Sequence, residues 1–153
     1  MNKVFNSIFE NSLRILLLLE EFCEAQNIDA IYIADFLALY GKPFGLSSDN
    51  LNGDNNFRFS EFISKRQLIG KTLKYLVFKN LAMVIKDNFG IKYRITNEGK
   101  TYCETLNSEY ANEYRANACK VINYLNSKSL REVTKEINSM SLKRDLTVWR
   151  DFL

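Results

Sequence analysis

The sequence contains no histidine, and this absence excludes more chemistry than any other feature of its composition. Without imidazole the chain cannot build Ser-His or Cys-His nucleophiles, histidine proton relays or most of the common zinc sites. Glycine-rich phosphate-binding patterns and the HExxH pattern of metalloproteases are also missing. A site made only of carboxylates or lysines would fit the composition, but no motif points to one. We therefore expect a protein without catalytic residues, metal or cofactor.

Proline and glycine are scarce, with one proline and six glycines in 153 residues. Folds with many turns rely on these two residues, so their scarcity favours long helices. Hydrophobic residues make up 46% of the chain, which is enough to bury one core. The composition therefore predicts a mainly helical protein built around a single core.

Neither a disulfide framework nor a membrane segment is indicated. The three cysteines are far apart and lack CxxC spacing, as expected of reduced packing residues in a cytoplasmic protein. Two glutamates end the apolar run at 15–19, whereas a membrane helix needs about 20 apolar residues. A secretory signal is not recognisable either. We therefore expect a cytoplasmic chain that does not enter a membrane.

Charge is distributed unevenly along the chain. Residues 1–57 hold three basic and eight acidic side chains, whereas residues 58–80 hold six basic and one acidic. Residues 111–153 are again basic, with eight cations against five anions. An acidic start beside a basic middle and tail indicates two contact surfaces of different character.

Hydroxyl and amide side chains mark the predicted helix starts. Ser7 and Glu10 have the spacing of a capping box, and Asn27 or Asp29 can cap a second helix that ends near Gly41. A long loop rich in Asn, Asp, Ser and Gly follows that helix. The predicted helices cover about 7–25, 27–40, 59–79, 96–106, 108–125, 129–140 and 141–152.

The hydrophobic period changes after residue 80. A short β-type run at 81–86 and an alternating run at 91–95 flank an Asp-Asn-Phe-Gly turn, which predicts a β-hairpin. In the second strand we expect three side chains to face inward and two to face water. The inward set is Ile91, Tyr93 and Ile95, and the outward set is Lys92 and Arg94.

The order of these elements is that of a winged helix-turn-helix: two helices, a long basic helix, a hairpin and a further helix. We therefore predict a mainly α fold with a small β-hairpin. The winged helix-turn-helix domain covers residues 1–106 and includes the long loop at 42–57. The C-terminal helices at 107–153 form an extension packed on it.

Four segments of the sequence resemble a known family. They are FENSLRILLLLEEF, ADFLALYGKPFGL, NLNGDNNFRFSEFISKRQLI and GIKYRITNEGKTYCETLNSEYANEYR. Together they resemble the middle component of ABC-three-component systems, which also serves as the small subunit of Lamassu-type anti-phage defence systems. The resemblance covers about residues 5–125. Asn52 stands where the family pattern NLHGD has histidine, so a contact made by that imidazole would be missing.

The resemblance implies a bacterial antiviral defence operon with three products. These are an SMC-like ATPase, this small subunit and a variable effector, often a nuclease. The small subunit would bind the ATPase and link it to the effector without catalysing a reaction. The family supplies no catalytic residues to carry over, in agreement with the absence of histidine.

Basic residues of the long helix and the hairpin are the candidate contacts to double-stranded DNA, because cations on phosphates dominate DNA affinity. They are Arg58, Lys65, Arg66, Lys71 and Lys74 on the helix, and Lys92 and Arg94 on the hairpin. The alternative is an ordinary solvated surface. Arg66 lies near the apolar arc of its helix, which favours an ion pair with the acidic N-terminal region.

The last predicted helix has an apolar edge formed by Leu142, Leu146 and Trp149. It can dock on a partner protein, since aromatic residues are enriched at binding hot spots. It can equally close the core of the chain itself or of a homodimer. At the level of function, the alternative to a complex subunit is a free-standing winged-helix transcription regulator.

Overall fold

The computed structural model describes residues 7–46, 51 and 58–140, with residues 58–63 described by their backbone alone. The helices are α1 (Ile8–Glu21), α2 (Ile28–Tyr40), α3 (Arg58–Phe78), α4 (Asn97–Cys103), α5 (Glu109–Asn126) and α6 (130–140), with a short 3₁₀ turn at Lys42–Phe44. The strands β1 (Ala82–Asp87) and β2 (Gly90–Ile95) form an antiparallel hairpin. The predicted mainly α fold with a small hairpin is confirmed.

Most of the described helices begin at a side-chain cap that the sequence predicts. In each case a side-chain oxygen accepts a hydrogen bond from the amide three residues ahead, which satisfies a donor that has no partner inside the helix. The oxygen-to-nitrogen distances are 2.8–3.1 Å, and the capping residues are Ser7, Asn27, Thr96, Ser108 and Ser129.

The end of α1 differs from the prediction, since the helix stops at Glu21 and not near residue 25. After an extended residue at Phe22, the chain reaches Gln26, which forms an isolated antiparallel bridge with Tyr93 of β2. Their backbone amides and carbonyls exchange two hydrogen bonds, at 3.0 and 2.8 Å. The connection between α1 and α2 is therefore attached to the hairpin at Gln26.

Helix α2 lies at the centre of the fold. Ten of its thirteen residues are buried, from Ala30 to Tyr40 with the exception of Tyr32. Helices α1, α3 and α5 all pack against it, so it has apolar neighbours around most of its circumference. Helix α5 contributes Tyr114, Ala118 and Val121 to the same core, and the residues 130–140 contribute Val133 and Ile137.

A charged network lies inside this core. The Arg14 guanidinium of α1 donates two hydrogen bonds to Asp35 of α2, from Nε to Oδ1 at 2.6 Å and from Nη2 to Oδ2 at 2.9 Å. The Tyr114 hydroxyl of α5 donates to the same Oδ1 at 2.7 Å, and Arg14 also donates to Asn11. All four residues are buried. The network therefore joins three helices that are distant in sequence.

The network sets the ionisation of its members. Burial alone would raise the pKa of Asp35, but the charge and hydrogen bonds of Arg14, together with Lys65 and Tyr114, hold it below its usual range. Burial would likewise lower the pKa of Arg14, yet Asp35 raises it above its ordinary value. Both side chains are therefore charged inside the core.

The hairpin departs from the predicted alternation near its turn. Ile95 is buried and Tyr93 is half-buried, as expected for inward-facing residues, but Ile91 is 49% exposed. Ile91 pairs with Lys86, next to the turn, where the helices no longer cover the ribbon. Lys92 is half-buried and lies 3.2 Å from the Asp87 carboxylate, while Arg94 is exposed as predicted.

Asp35→Asn should destabilise the protein by about 3–5 kcal/mol, because it leaves the Arg14 charge buried without its counter-ion. The matched control is Asp29→Asn in the same helix, where the ion pair with Arg66 is half exposed and worth about 1 kcal/mol or less. Urea unfolding followed by circular dichroism measures both. Equal losses for the two variants would contradict the structural role of the buried pair.

Acid should weaken the wild type through Asp35. Its folded pKa is lowered, so its contribution to stability is complete above the unfolded value of about 3.9 and declines as the pH falls through the folded pKa. We expect the stability gap between the wild type and Asp35→Asn to narrow below about pH 4. Urea midpoints measured from pH 7 to pH 3 test this, and a constant gap would be contrary to it.

Replacement of two glycines by alanine should change the stability of the protein in opposite directions. A Cβ at Gly99 would lie 2.3 Å from the Leu81 carbonyl oxygen and 2.7 Å from Ile95 Cγ1, so Gly99→Ala must displace α4 from the hairpin base. At Gly70 the Cβ would meet only Ile28 Cδ1 within 4 Å, at 3.4 Å. We expect Gly99→Ala to lower the thermal midpoint and Gly70→Ala to add about 0.5–1 kcal/mol from helix propensity. A neutral Gly99→Ala would argue against this packing.

Candidate nucleic-acid interface

The candidate site is the basic surface formed by α3 and the hairpin. Between residues 64 and 97 the sequence has eight basic side chains and one acidic side chain, Asp87. Such an excess is repulsive unless the cations are paired elsewhere or meet a polyanion. The structure separates the eight cations into those that form internal ion pairs and those that face solvent.

Three of the eight cations are used within the fold. Lys65 is only 8% exposed, and its charge helps to lower the pKa of Asp35, so we leave it out of the contact surface. Arg66 Nε lies 2.8 Å from Asp29 Oδ1, which confirms the predicted ion pair with the acidic N-terminal region. Lys92 pairs with Asp87 at the hairpin turn.

Lys71 and Lys74 are exposed on one face of α3. Gln67 and Phe78 share this face, because the four residues follow one another at spacings of three and four along the helix. Leu73 and Leu76 occupy the opposite face and are buried in the core. The helix therefore presents two lysines to solvent, with no acidic residue between positions 64 and 86.

The hairpin adds Lys86 and Arg94, both exposed. Paired residues of an antiparallel ribbon lie on the same face, so Lys86 shares a face with Ile91, and Arg94 shares the other with Met83. Arg94 Nη2 lies 3.3 Å from the Met83 sulfur. The ribbon thus carries one exposed cation on each of its faces.

Sequence reasoning missed three members of this surface. Lys79 lies 5.8 Å from the Tyr75 ring centroid and 5.9 Å from that of Phe78, which are cation–π distances. Phe78 is 84% exposed on α3, and Phe89 is 91% exposed at the hairpin turn. The available signal was an aromatic residue within a turn of Asp, Asn and Gly, where polar residues are the rule.

Several candidate residues cannot be compared with the structure. The side chain of Arg58 lies outside the described part, and so do Leu142, Leu146 and Trp149 with the last predicted helix. Most of the long loop that follows α2 lies outside it as well. These candidates stay predictions.

A cleft between α1 and α5 and the buried thiol of Cys103 are further places where reactive side chains could act. A cleft of about 350 Å³ between α1 and α5 is lined by Arg14 and Tyr110, but Asp35 already occupies the guanidinium. Burial raises the pKa of the Cys103 thiol to about 12, so this thiol is protonated at neutral pH. Across residues 7–46 and 64–140, no three carboxylates or thiols come together as metal ligands.

Membrane insertion can also be examined for the described helices. Within residues 7–46 and 58–140, no helix has both the length and the apolar composition that crossing a bilayer requires.

The described fold defines a class of protein, a mainly helical domain whose α3 and hairpin carry several cations exposed to solvent. Residues 4–145 match the family model for ABC-three component (ABC-3C) system Middle Component 2, and the chain belongs to this family. The resemblance to the middle component is thereby confirmed, and a middle component is an accessory subunit of its system. No curated protein and no solved structure matches the chain.

Proposed function

We propose that this chain is a winged-helix accessory subunit through which an ABC-three-component defence complex holds double-stranded DNA. The observation that carries the proposal is the solvent-exposed face of α3, where Lys71 and Lys74 lie in a stretch of sequence with no acidic residue between positions 64 and 86. Phosphate contacts supply most of the sequence-independent affinity for DNA, and lysine is suited to them as a flexible point charge. The subunit would bind DNA without transforming it.

The topology supports the winged-helix assignment. Three helices precede the hairpin, and the Gln26–Tyr93 bridge adds a minimal third strand between the first two helices. A short strand at this place, paired with the second strand of the wing, is typical of winged helix-turn-helix domains. We assign residues 1–106 to that domain and residues 107–153 to a helical extension, which the packing of α5 on α1 and α2 supports.

The two other products of the system would be an SMC-like ATPase and an effector, as in Lamassu-type systems. Family membership supports this arrangement, and the two surfaces of unequal charge offer separate places for DNA and protein. The subunit would link the partners by binding one conformation of the ATPase more tightly than the other, since only differential affinity can shift an equilibrium.

Lys71→Glu combined with Lys74→Glu should weaken binding of the intact complex to a duplex of mixed sequence by at least about tenfold. The slope of log affinity against log salt should become shallower by about two, one for each lost phosphate contact. Fluorescence anisotropy at several salt concentrations measures both quantities.

The matched control is Lys120→Glu combined with Lys135→Glu. It changes the net charge by the same amount at exposed positions of α5 and α6. If the two double variants weaken DNA binding equally, or if neither weakens it, the proposed DNA contact through α3 is refuted. Strong base-sequence preference by a symmetric dimer of the isolated chain would instead favour the transcription regulator.

A further inference from the structure

Phe89 occupies the tip of the hairpin and is 91% exposed. The turn around it is well fixed: Asp87 Oδ1 accepts a hydrogen bond from the Phe89 amide at 2.8 Å, and Asp87 Oδ2 lies 3.2 Å from Lys92 Nζ. Gly90 follows with a φ of 117°, which side-chain-bearing residues rarely adopt. The fold therefore holds an apolar ring in solvent on a rigid support.

Packing does not explain this residue. Phe89 is absent from the hydrophobic core and from the side chains packed against it in the described part of the chain. Turn positions favour Asn, Asp, Gly and Ser, which satisfy the backbone without exposing apolar area. An aromatic residue at this position therefore exposes apolar area without adding to the described core.

The charges around the tip indicate what the ring meets. Asp87 is the acidic residue nearest to Phe89 in the sequence. The Phe89 amide and Lys92 hold the pKa of Asp87 below its usual range and occupy its two carboxylate oxygens. Lys86 and Arg94 are exposed on opposite faces of the ribbon. Lys86 pairs with Ile91 beside the turn, whereas Arg94 pairs with Met83, three residue pairs further from the tip. An apolar tip on a ribbon with a cation on each face matches a groove bordered by two phosphate backbones.

We infer that Phe89 is a wedge that enters the minor groove of double-stranded DNA and partly unstacks a base step. Lys86 and Arg94 would each face one of the two backbones that border the groove. Proteins that insert Phe in this way kink the duplex toward the major groove, most easily at flexible pyrimidine–purine steps. The inference rests on the proposed DNA contact of α3 and adds deformation of the DNA to it.

Phe89→Ala in the intact complex tests the wedge. The probe is a duplex of about 25 base pairs with 2-aminopurine at TA steps and a fluorophore pair at its ends. The wild type should raise the 2-aminopurine fluorescence and shorten the end-to-end distance. Phe89→Ala should lose both signals and keep the salt slope of binding, because no phosphate contact is removed. Phe89→Leu, which keeps an apolar wedge, should retain them.

Phe9→Ala is the matched control, since it removes an exposed phenylalanine that belongs to neither α3 nor the hairpin. It should leave both signals unchanged. Wild-type signals in Phe89→Ala, while Lys71 and Lys74 still govern affinity, would overturn the wedge and leave the proposed function standing. A wild-type complex that does not bind the duplex would overturn both. Loss of the partner proteins from Phe89→Ala, with DNA bending unchanged, would make the tip a protein contact and reject the wedge.

Discussion

The ion pair between Arg14 and Asp35 is the interaction on which the arrangement of the helices depends. Helix α2 is apolar around most of its circumference, so hydrophobic packing alone would tolerate several rotations and shifts of its neighbours. The two parallel hydrogen bonds from Arg14 to the Asp35 carboxylate can form in only one of these helix arrangements. Tyr114 extends the same restriction to α5. Separation of the pair would leave two charges in a low-dielectric interior, which makes other packings costly.

The position of α3 follows from this core. Leu73 and Leu76 bury one side of the helix against α1 and α2, and the opposite side necessarily faces solvent. Lys65 is buried, and its charge helps to lower the pKa of Asp35. This part of α3 therefore contributes to the core. Lys71 and Lys74 lie about one and a half and two and a half turns further along and are exposed. A single helix thus divides its cations between the core and the solvent-exposed surface.

The local features of the fold were predictable from the sequence, and the long-range ones were not. Helix caps and the hairpin turn depend on residues within three or four positions, so patterns such as Ser7 to Glu10 identify them directly. The pairing of Asp35 with Tyr114 joins residues 79 positions apart, and no local period reports it. Of the candidate site, the ion pair of Arg66 was predictable from helix phase. The exposure of Ile91 was not, because it depends on where the helices stop covering the ribbon.

The hairpin is anchored at one end only, and the bridge between Gln26 and Tyr93 is part of this anchor. Its base is clamped by the buried side chains of Ala82 and Ile95 and by the two backbone hydrogen bonds of the bridge, whereas its free end extends beyond the helices. A force applied at the turn would therefore act, through these two hydrogen bonds, on the segment that joins α1 and α2. The same two helices hold the Arg14–Asp35 pair, so a pull on the ribbon acts on the helices that this buried ion pair joins.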